Sequence, residues 1–218
     1  AVSLSGNVQI ASGYTVTFGP GSSLDGNDQK IEVFGGLAIS GTSENLIEVQ
    51  EVDIRGKDGG STSIDYAHLS IPRLVTGYYS DHDLTILNSV IVGTYNTPYI
   101  NLSFNSVVKG NIFSNIKIHV QQRQQHTLEL NTFIEKAYVN TLPDYYSFNP
   151  FLKLVDNNFL SSFSKSLILN DDGRKYTNNV ETSGNYWGTD DVNAIQEKIS
   201  DGNNDLDIKV VVDLSNRA

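Results

Sequence analysis

Asn111-Ile112-Phe113, read beside Asn131-Thr132-Phe133, Asn157-Asn158-Phe159 and Asn185-Tyr186-Trp187, decides the fold: an Asn, any residue and then an aromatic side chain returns again and again. An earlier copy, Asn88-Ser89-Val90, ends on an aliphatic residue, and a fainter one, Asp65-Tyr66-Ala67, opens on Asp. From Asp65 to Asn185 the steps between copies are 23, 23, 20, 26 and 28 residues. Units of this length, built of short strands and polar turns, wind into a solenoid in which each coil stacks on the last. Aligned on the period, Asn88, Asn111, Asn131, Asn157 and Asn185 are expected to stack near one bend, where side-chain amides donate to one another and to turn carbonyls as a ladder. That use serves the turn and not a ligand. Phe113, Phe133, Phe159 and Trp187 then form a stacked row in the core.

Outward from these phrases the pattern stays β. In the first 54 residues, Val8 with Ile10, Val16 with Phe18, Ile31 with Val33 and Leu37 with Ile39 occupy alternate positions, the period of a strand with one buried face. Glycines such as Gly13, Gly21 and Gly35 separate the runs. Further runs follow from Ile64 to Trp187, among them LTILNSVIV, INLSFNSVV, IKIHV, TLELNTFI and LKLVDNNFL, with no helical periodicity between them. Parallel strands usually need helical crossovers, but a coil of this length returns to its starting face by turns alone. The expected fold is all-β, a single-stranded parallel β-helix over residues 1–218: N-terminal coils 1–54, central coils 55–187 and a C-terminal cap 188–218. Within the cap, Thr189 or Asp190 is placed to start a short helix on which Val192, Ile195 and Ile199 share a face, covering the last coil. IKVVVDL from Ile208 reads as one more strand.

Composition narrows the partners. With 25 acidic against 15 basic residues the net charge is −10, which repels phosphate backbones and argues against nucleic acid. There is no cysteine, hence no disulfide framework and no thiolate metal site or nucleophile. No apolar run is long enough to span a membrane, and the chain opens on Ala, as a processed or excised piece would.

The phrases LSGNVQIASGYTVTFGPGSSL (4–24) and IEVFGGLAISGTSENLI (31–47) resemble the opening coils of secreted right-handed parallel β-helix proteins, the pectate-lyase-like superfamily. GNYWGTDDVNAIQEKISDGNNDLD (184–207) is similar to the N-x-W-G-T terminus of the same group. The resemblance implies a right-handed solenoid. It leaves function open, since that superfamily holds polysaccharide lyases, hydrolases, epimerases, phage tailspikes and non-catalytic surface modules. The acid and base signatures of pectate lyases, polygalacturonases and pectin esterases are not present in their usual local contexts.

Setting the repeats in register brings the segments before each Asn to one flank: GYYSDHD (77–83), the stretch around Asn105, QQRQQH (121–126), PDYYSFN (143–149) and NDDGRKY (170–176). Stacking faces and hydrogen-bonding charges along one side suit an extended sugar chain. The candidate carbohydrate-binding residues are Tyr78, Tyr79, Asp81, His82, Asp83, Arg123, His126, Asp144, Tyr145 and Tyr146. Tyr95 and Tyr99 join the tyrosines assigned to loops. A hydrolase would draw two carboxylates from Asp81, Asp83, Asp144, Asp171 and Asp172; a lyase would use Arg123, Arg174 or Lys175 as base, with Ca²⁺ held against a uronate. His68 and His119 fall within strands, whereas His82 and His126 read as polar-loop residues, His82 between Asp81 and Asp83 being the most reactive-looking. Asp201, Asn203, Asp205 and Asp207 alternate as oxygen ligands would for Ca²⁺, the one cofactor the sequence suggests.

The leading expectation is a non-catalytic extracellular β-helix module, secreted or at the cell surface, of an adhesin-type protein with affinity for carbohydrate. It would be a monomeric part of something larger. A polysaccharide lyase or glycoside hydrolase is the first alternative, and the shaft of a phage or viral fibre the second.

Overall fold

Alternation along the strands sends one set of side chains into a single continuous core, where Val33, Ile39, Ile54, Ile64, Leu69 and Ile86 are all fully buried. The computed structural model describes residues 1–76, 81–94, 98–102, 106–121, 125–142, 151–169, 179–203 and 212–215. They form a parallel β-solenoid of about six coils. The first coil holds β1 (Val2–Ser3), β2 (Val8–Ile10) and β3 (Thr15–Phe18). Next come β4 (Ser23–Val33) with β5 (Gly36–Ser40), then β6 (Ile47–Gly56) with β7 (Ser61–Asp65). From there each coil repeats three strands. They are β8 (Ala67–Ile71), β9 (Arg73–Thr76) and β10 (Asp83–Leu87), then β11 (Val90–Gly93), β12 (Tyr99–Leu102) and β13 (Ser106–Lys109). After these follow β14 (Ile112–Ser114), β15 (Lys117–Gln121) and β16 (Gln125–Glu129), and β17 (Thr132–Ile134), β18 (Tyr138–Leu142) and β19 (Phe151–Val155). The chain closes through β20 (Asn158–Phe159), β21 (Leu167–Leu169), β22 (Asn179–Ser183), the helix α1 (Val192–Glu197) and β23 (Ile199–Ser200).

Equivalent strands pair in parallel and build three faces. Face one is the eight-stranded sheet β3-β5-β7-β10-β13-β16-β19-β22. Face two runs β8-β11-β14-β17-β20 and face three β9-β12-β15-β18-β21-β23. The long β6 pairs with β8 through its first half and with β9 through its second, so faces two and three form one 15-stranded sheet bent at a corner. No helix among the described residues is long and apolar enough to cross a membrane.

The corner between faces one and two is made by one residue per coil in the left-handed region: Tyr66 (φ 48°), Asn88 (45°), Gly110 (70°), Leu130 (56°), Asp156 (53°) and Gly184 (64°). The residue after it carries the ladder. Asn111 Oδ1 accepts from the Ser89 amide, Asn131 Oδ1 from that of Asn111, Asn157 Oδ1 from that of Asn131 and Asn185 Oδ1 from that of Asn157, at 2.9–3.0 Å. Each of these Asn also donates Nδ2 to a carbonyl of the preceding coil, namely Ile86, Val108, Leu128 and Leu154. Inside the ladder the aromatic rows stack: Phe113 on Phe133 (centroids 5.3 Å), Phe133 on Phe159 (4.7 Å) and Phe159 on Trp187 (4.4 Å).

Two expectations need correction here. Asn88 is not a rung. Val90 pairs with Ile112, so Ser89 stands beside Asn111, while Asn88 is exposed, takes the turn conformation and donates to Asp65 Oδ1. The rung is completed by Ser89 Oγ, which accepts from the Ala67 amide. The terminal helix is also shorter than its spacing suggested. Its N-cap is Asp191, whose carboxylate accepts from the amides of Asn193 and Ala194, while Thr189 Oγ1 accepts from Asp191 itself. Ile195 is buried, but Val192 is 44% exposed, and Ile199 has left the helix to pair in β23 with Leu167. Most of the segment from Ile208 lies outside the described residues, although Val212 is buried.

Candidate functional site

On faces one and two several outward polar side chains pair across the register. Lys109 meets Glu129 at 2.9 Å, Lys153 meets Glu181 at 2.9 Å, and His68 Nδ1 meets Glu48 at 3.0 Å. Face three is different. Its outward column runs Asp53, Arg73, Tyr99, Lys117 and Tyr138 on successive strands, with Arg55, Val75, Asn101, His119 and Asn140 as the neighbouring column. Parallel pairing spaces such neighbours by about 4.8 Å, so the columns form a continuous strip along the solenoid.

At one end of the strip the charges are locked. Asp53 Oδ2 accepts from Arg55 Nε and Nη2 and from Arg73 Nε at 2.7–2.9 Å, and Asp53 itself is 7% exposed. Towards the other end they are available. Lys117 Nζ lies 5.4 Å from the Tyr138 ring centroid, Tyr138 stacks on Phe163 at 4.6 Å, and Tyr99 stacks on the His119 ring at 5.2 Å. Burial first, and the Lys117 charge second, hold His119 down to about 4, so its ring is neutral at physiological pH. A cleft of about 210 Å³ opens at the corner of faces two and three, lined by Pro98, Asn115, Ile116, Lys117, Lys136, Tyr138 and Phe163. Among the described residues neither Lys117 nor Lys136 has a carboxylate partner. The chemistry of the cleft is that of a stacking platform with two ammonium donors at its rim.

The residues anticipated on the binding flank fare unevenly. Asp81 and Asp83 are exposed at the entry to face one, yet His82 between them is fully buried. Its Nε2 lies 2.9 Å from Thr62 Oγ1 and its Nδ1 3.1 Å from the Lys57 carbonyl, and burial pushes its pKa down. Glycine makes room for it: a Cβ on Gly56 would stand 2.5 Å from the imidazole. His82 is therefore a core histidine and no part of a sugar-binding surface. His126 is corrected likewise, for it faces inward in β16, fully buried, and is not in a polar loop. Tyr99, assigned to a loop, is in β12 and points outward. Tyr78, Tyr79, Tyr95, Arg123, Asp144, Tyr145, Tyr146, Asp171, Asp172, Arg174 and Lys175 lie outside the described residues.

Asp201 does not have the open carboxylate of a calcium ligand. It is fully buried, Oδ1 accepting from Gln196 Nε2 and the Asn203 amide, Oδ2 from the Val212 amide at 2.7 Å and from Asn203 Nδ2 at 3.4 Å. These donors tie the turn after α1 to the terminal segment. Asp205 and Asp207 fall outside the described residues, and among those described no group of His, Asp and Glu converges as metal ligands would.

Sequence reasoning overlooked Lys117, Lys136, Tyr138 and Phe163. The signal was present in the alternation of KIHVQ and YVNTL, whose outward positions pair Lys117 with Tyr138 and His119 with Asn140. Aligning loops instead of outward strand positions hid it. No known protein family, no curated protein and no solved structure matches this chain.

Proposed function

We infer that the chain is a rigid, non-catalytic β-solenoid module of a secreted or surface-attached protein, and that it binds an extended polysaccharide along face three. The observation that carries this is the cleft where Tyr138 stacks on Phe163 beside Lys117 and Lys136. A pyranose ring lays its apolar face on such a platform and its hydroxyl or carboxylate oxygens accept from the ammonium groups. A column repeating every coil suits a polymer, each unit adding a small increment to the whole. The likeness of the opening coils to secreted right-handed β-helix proteins supports the extracellular setting. The non-catalytic reading leans on the carboxylates: Asp53 is held by two arginines, and among the described residues no acidic side chain lines the cleft.

A glycan array followed by calorimetry tests the reading. Binding to at least one polysaccharide is expected, weakened about fivefold by Tyr138→Ala, as loss of one stacking contact of roughly 1 kcal/mol predicts. No new reducing ends and no unsaturated product should appear on incubation with uronic-acid or neutral polysaccharides. Turnover would replace this reading with a lyase or hydrolase, and absence of any glycan binding would remove the carbohydrate.

A further inference from the structure

The outward column of face three alternates in kind. Arg73, Tyr99, Lys117 and Tyr138 stand on successive strands in direct register, Arg73 beside Tyr99, Tyr99 beside Lys117 and Lys117 beside Tyr138. Cation and aromatic ring take turns, so each kind recurs after two interstrand steps, about 9.6 Å. Each ring is held by a stacked partner, Tyr99 by His119 at 5.2 Å and Tyr138 by Phe163 at 4.6 Å.

Both cations keep charge to offer. Asp53 is shared by Arg55 and Arg73, so two guanidinium groups against one carboxylate leave one positive charge over. Asp53 holds Arg73 through Nε, and the Arg73 side chain is 41% exposed. Lys117 meets no carboxylate among the described residues. In a chain of net charge −10 such a column is locally of the opposite sign.

We propose, resting on the reading of face three as a polysaccharide strip, that its polymer alternates a carboxylate-bearing sugar with an uncharged one in equatorial linkage. A pyranose linked in this way advances along an extended chain by about one interstrand step, which lays one sugar over each coil. The acidic sugars meet Arg73 and Lys117, whose guanidinium and ammonium groups donate to the carboxylates. The uncharged sugars lie on Tyr99 and on the platform of Tyr138 and Phe163. A polymer with an acid on every sugar fits less well, since it sets carboxylates against the negative faces of both tyrosines and brings more charge to a chain already at −10. A neutral polymer leaves both cations without a partner.

Calorimetry with oligosaccharides of matched length tests this. The probes are hyaluronan, in which glucuronate and N-acetylglucosamine alternate, the same chain with its carboxyls reduced to alcohols, and an equatorially linked polyglucuronate. Hyaluronan should bind about tenfold or more tighter than either of the others. Lys117→Gln should weaken hyaluronan about fivefold, as loss of one exposed ion pair does, and leave the reduced chain unchanged, with Lys117→Arg restoring the affinity. Tyr99→Ala should weaken the acidic and the reduced chain by the same factor, because the sugar above it is uncharged in both. Equal or tighter binding of the reduced chain or of polyglucuronate would overturn the inference and leave the polysaccharide reading in place. So would binding of another glycan with none of hyaluronan. Failure of every glycan, on the array as in the calorimeter, would remove both.

Discussion

Asn131 accepts from the amide and Nδ2 of Asn111 and donates to the Val108 carbonyl and Asn157 Oδ1, all in a site closed to water. Replacing it with Ala leaves several buried groups without partners, each costing about 1–3 kcal/mol. Asn131→Ala should therefore lower stability by about 2–4 kcal/mol in urea titration. Its neighbour predicts the opposite sign. Leu130 holds φ 56° and is 50% exposed, where Gly110 and Gly184 occupy the same corner in other coils. Leu130→Gly removes a left-handed penalty of about 1 kcal/mol and should leave the protein as stable or more so. Two histidines set a third expectation. Burial depresses both His82 and His119, the latter to about 4. The unfolded chain takes up protons on these rings near 6.5 and the folded chain only at lower pH, so stability is full above about 6.5 and falls as pH drops toward the folded values. Melting temperature should be lower at pH 5 than at pH 7.5, and His119→Asn should flatten the difference. At this scale the ladder was legible from residue 111 onward because Asn is the rung there. It slipped by one at Asn88, where the Asn supplies the left-handed turn and the hydroxyl of Ser89 supplies the bond. The missing clue was that Ile91, and not Val90, stacks with Phe113.

Strands were easy to read in kind and hard to read in extent. LTILNSVIV looks like one run, yet it is β10 and β11 on two faces, because a single left-handed residue turns the corner without interrupting the apolar pattern. The converse holds for β4 and β6, each of which passes continuously round a corner, β6 with Glu51 at φ 51°. At α1 helical spacing tied Ile199 to Ile195, but pairing with β21 won: a strand edge beside Leu167 offers Ile199 both burial and backbone partners, so the helix stops at Glu197. A helix this short depends on its cap. Asp191→Ala removes the bonds to Asn193 and Ala194 and should cost about 1 kcal/mol, visible as a lower denaturation midpoint and faster amide exchange confined to 192–200. The outer strip of face three was the least legible element, since its residues come from separate strands and become a site only when the register is known.

For the whole molecule, contacts run almost entirely between successive coils, and a solenoid of this kind behaves as a nearly one-dimensional stack. Coupling between distant coils then has to pass through rows that cross every interface, of which the aromatic row is the heaviest. Phe133 sits in its middle, 5.3 Å from Phe113 and 4.7 Å from Phe159, and is fully buried. Phe133→Ala removes stacking on both sides and leaves a cavity, at a cost of about 3–5 kcal/mol. In a protein with one central core that loss would be shared by the entire fold. Here it falls on the interfaces of β14 with β17 and of β17 with β20, while the coils from β4 to β9 keep their own aliphatic rows of Val49, Leu69, Ile54 and Leu74. Hydrogen exchange of Phe133→Ala should therefore show protection lost from 125 to 159 and retained from 31 to 71, with a denaturation curve broader than that of the parent. A uniform loss of protection along the chain would mean that the coils unfold as one unit, and that the ladder and the sheets transmit stability farther than stacking of neighbours can.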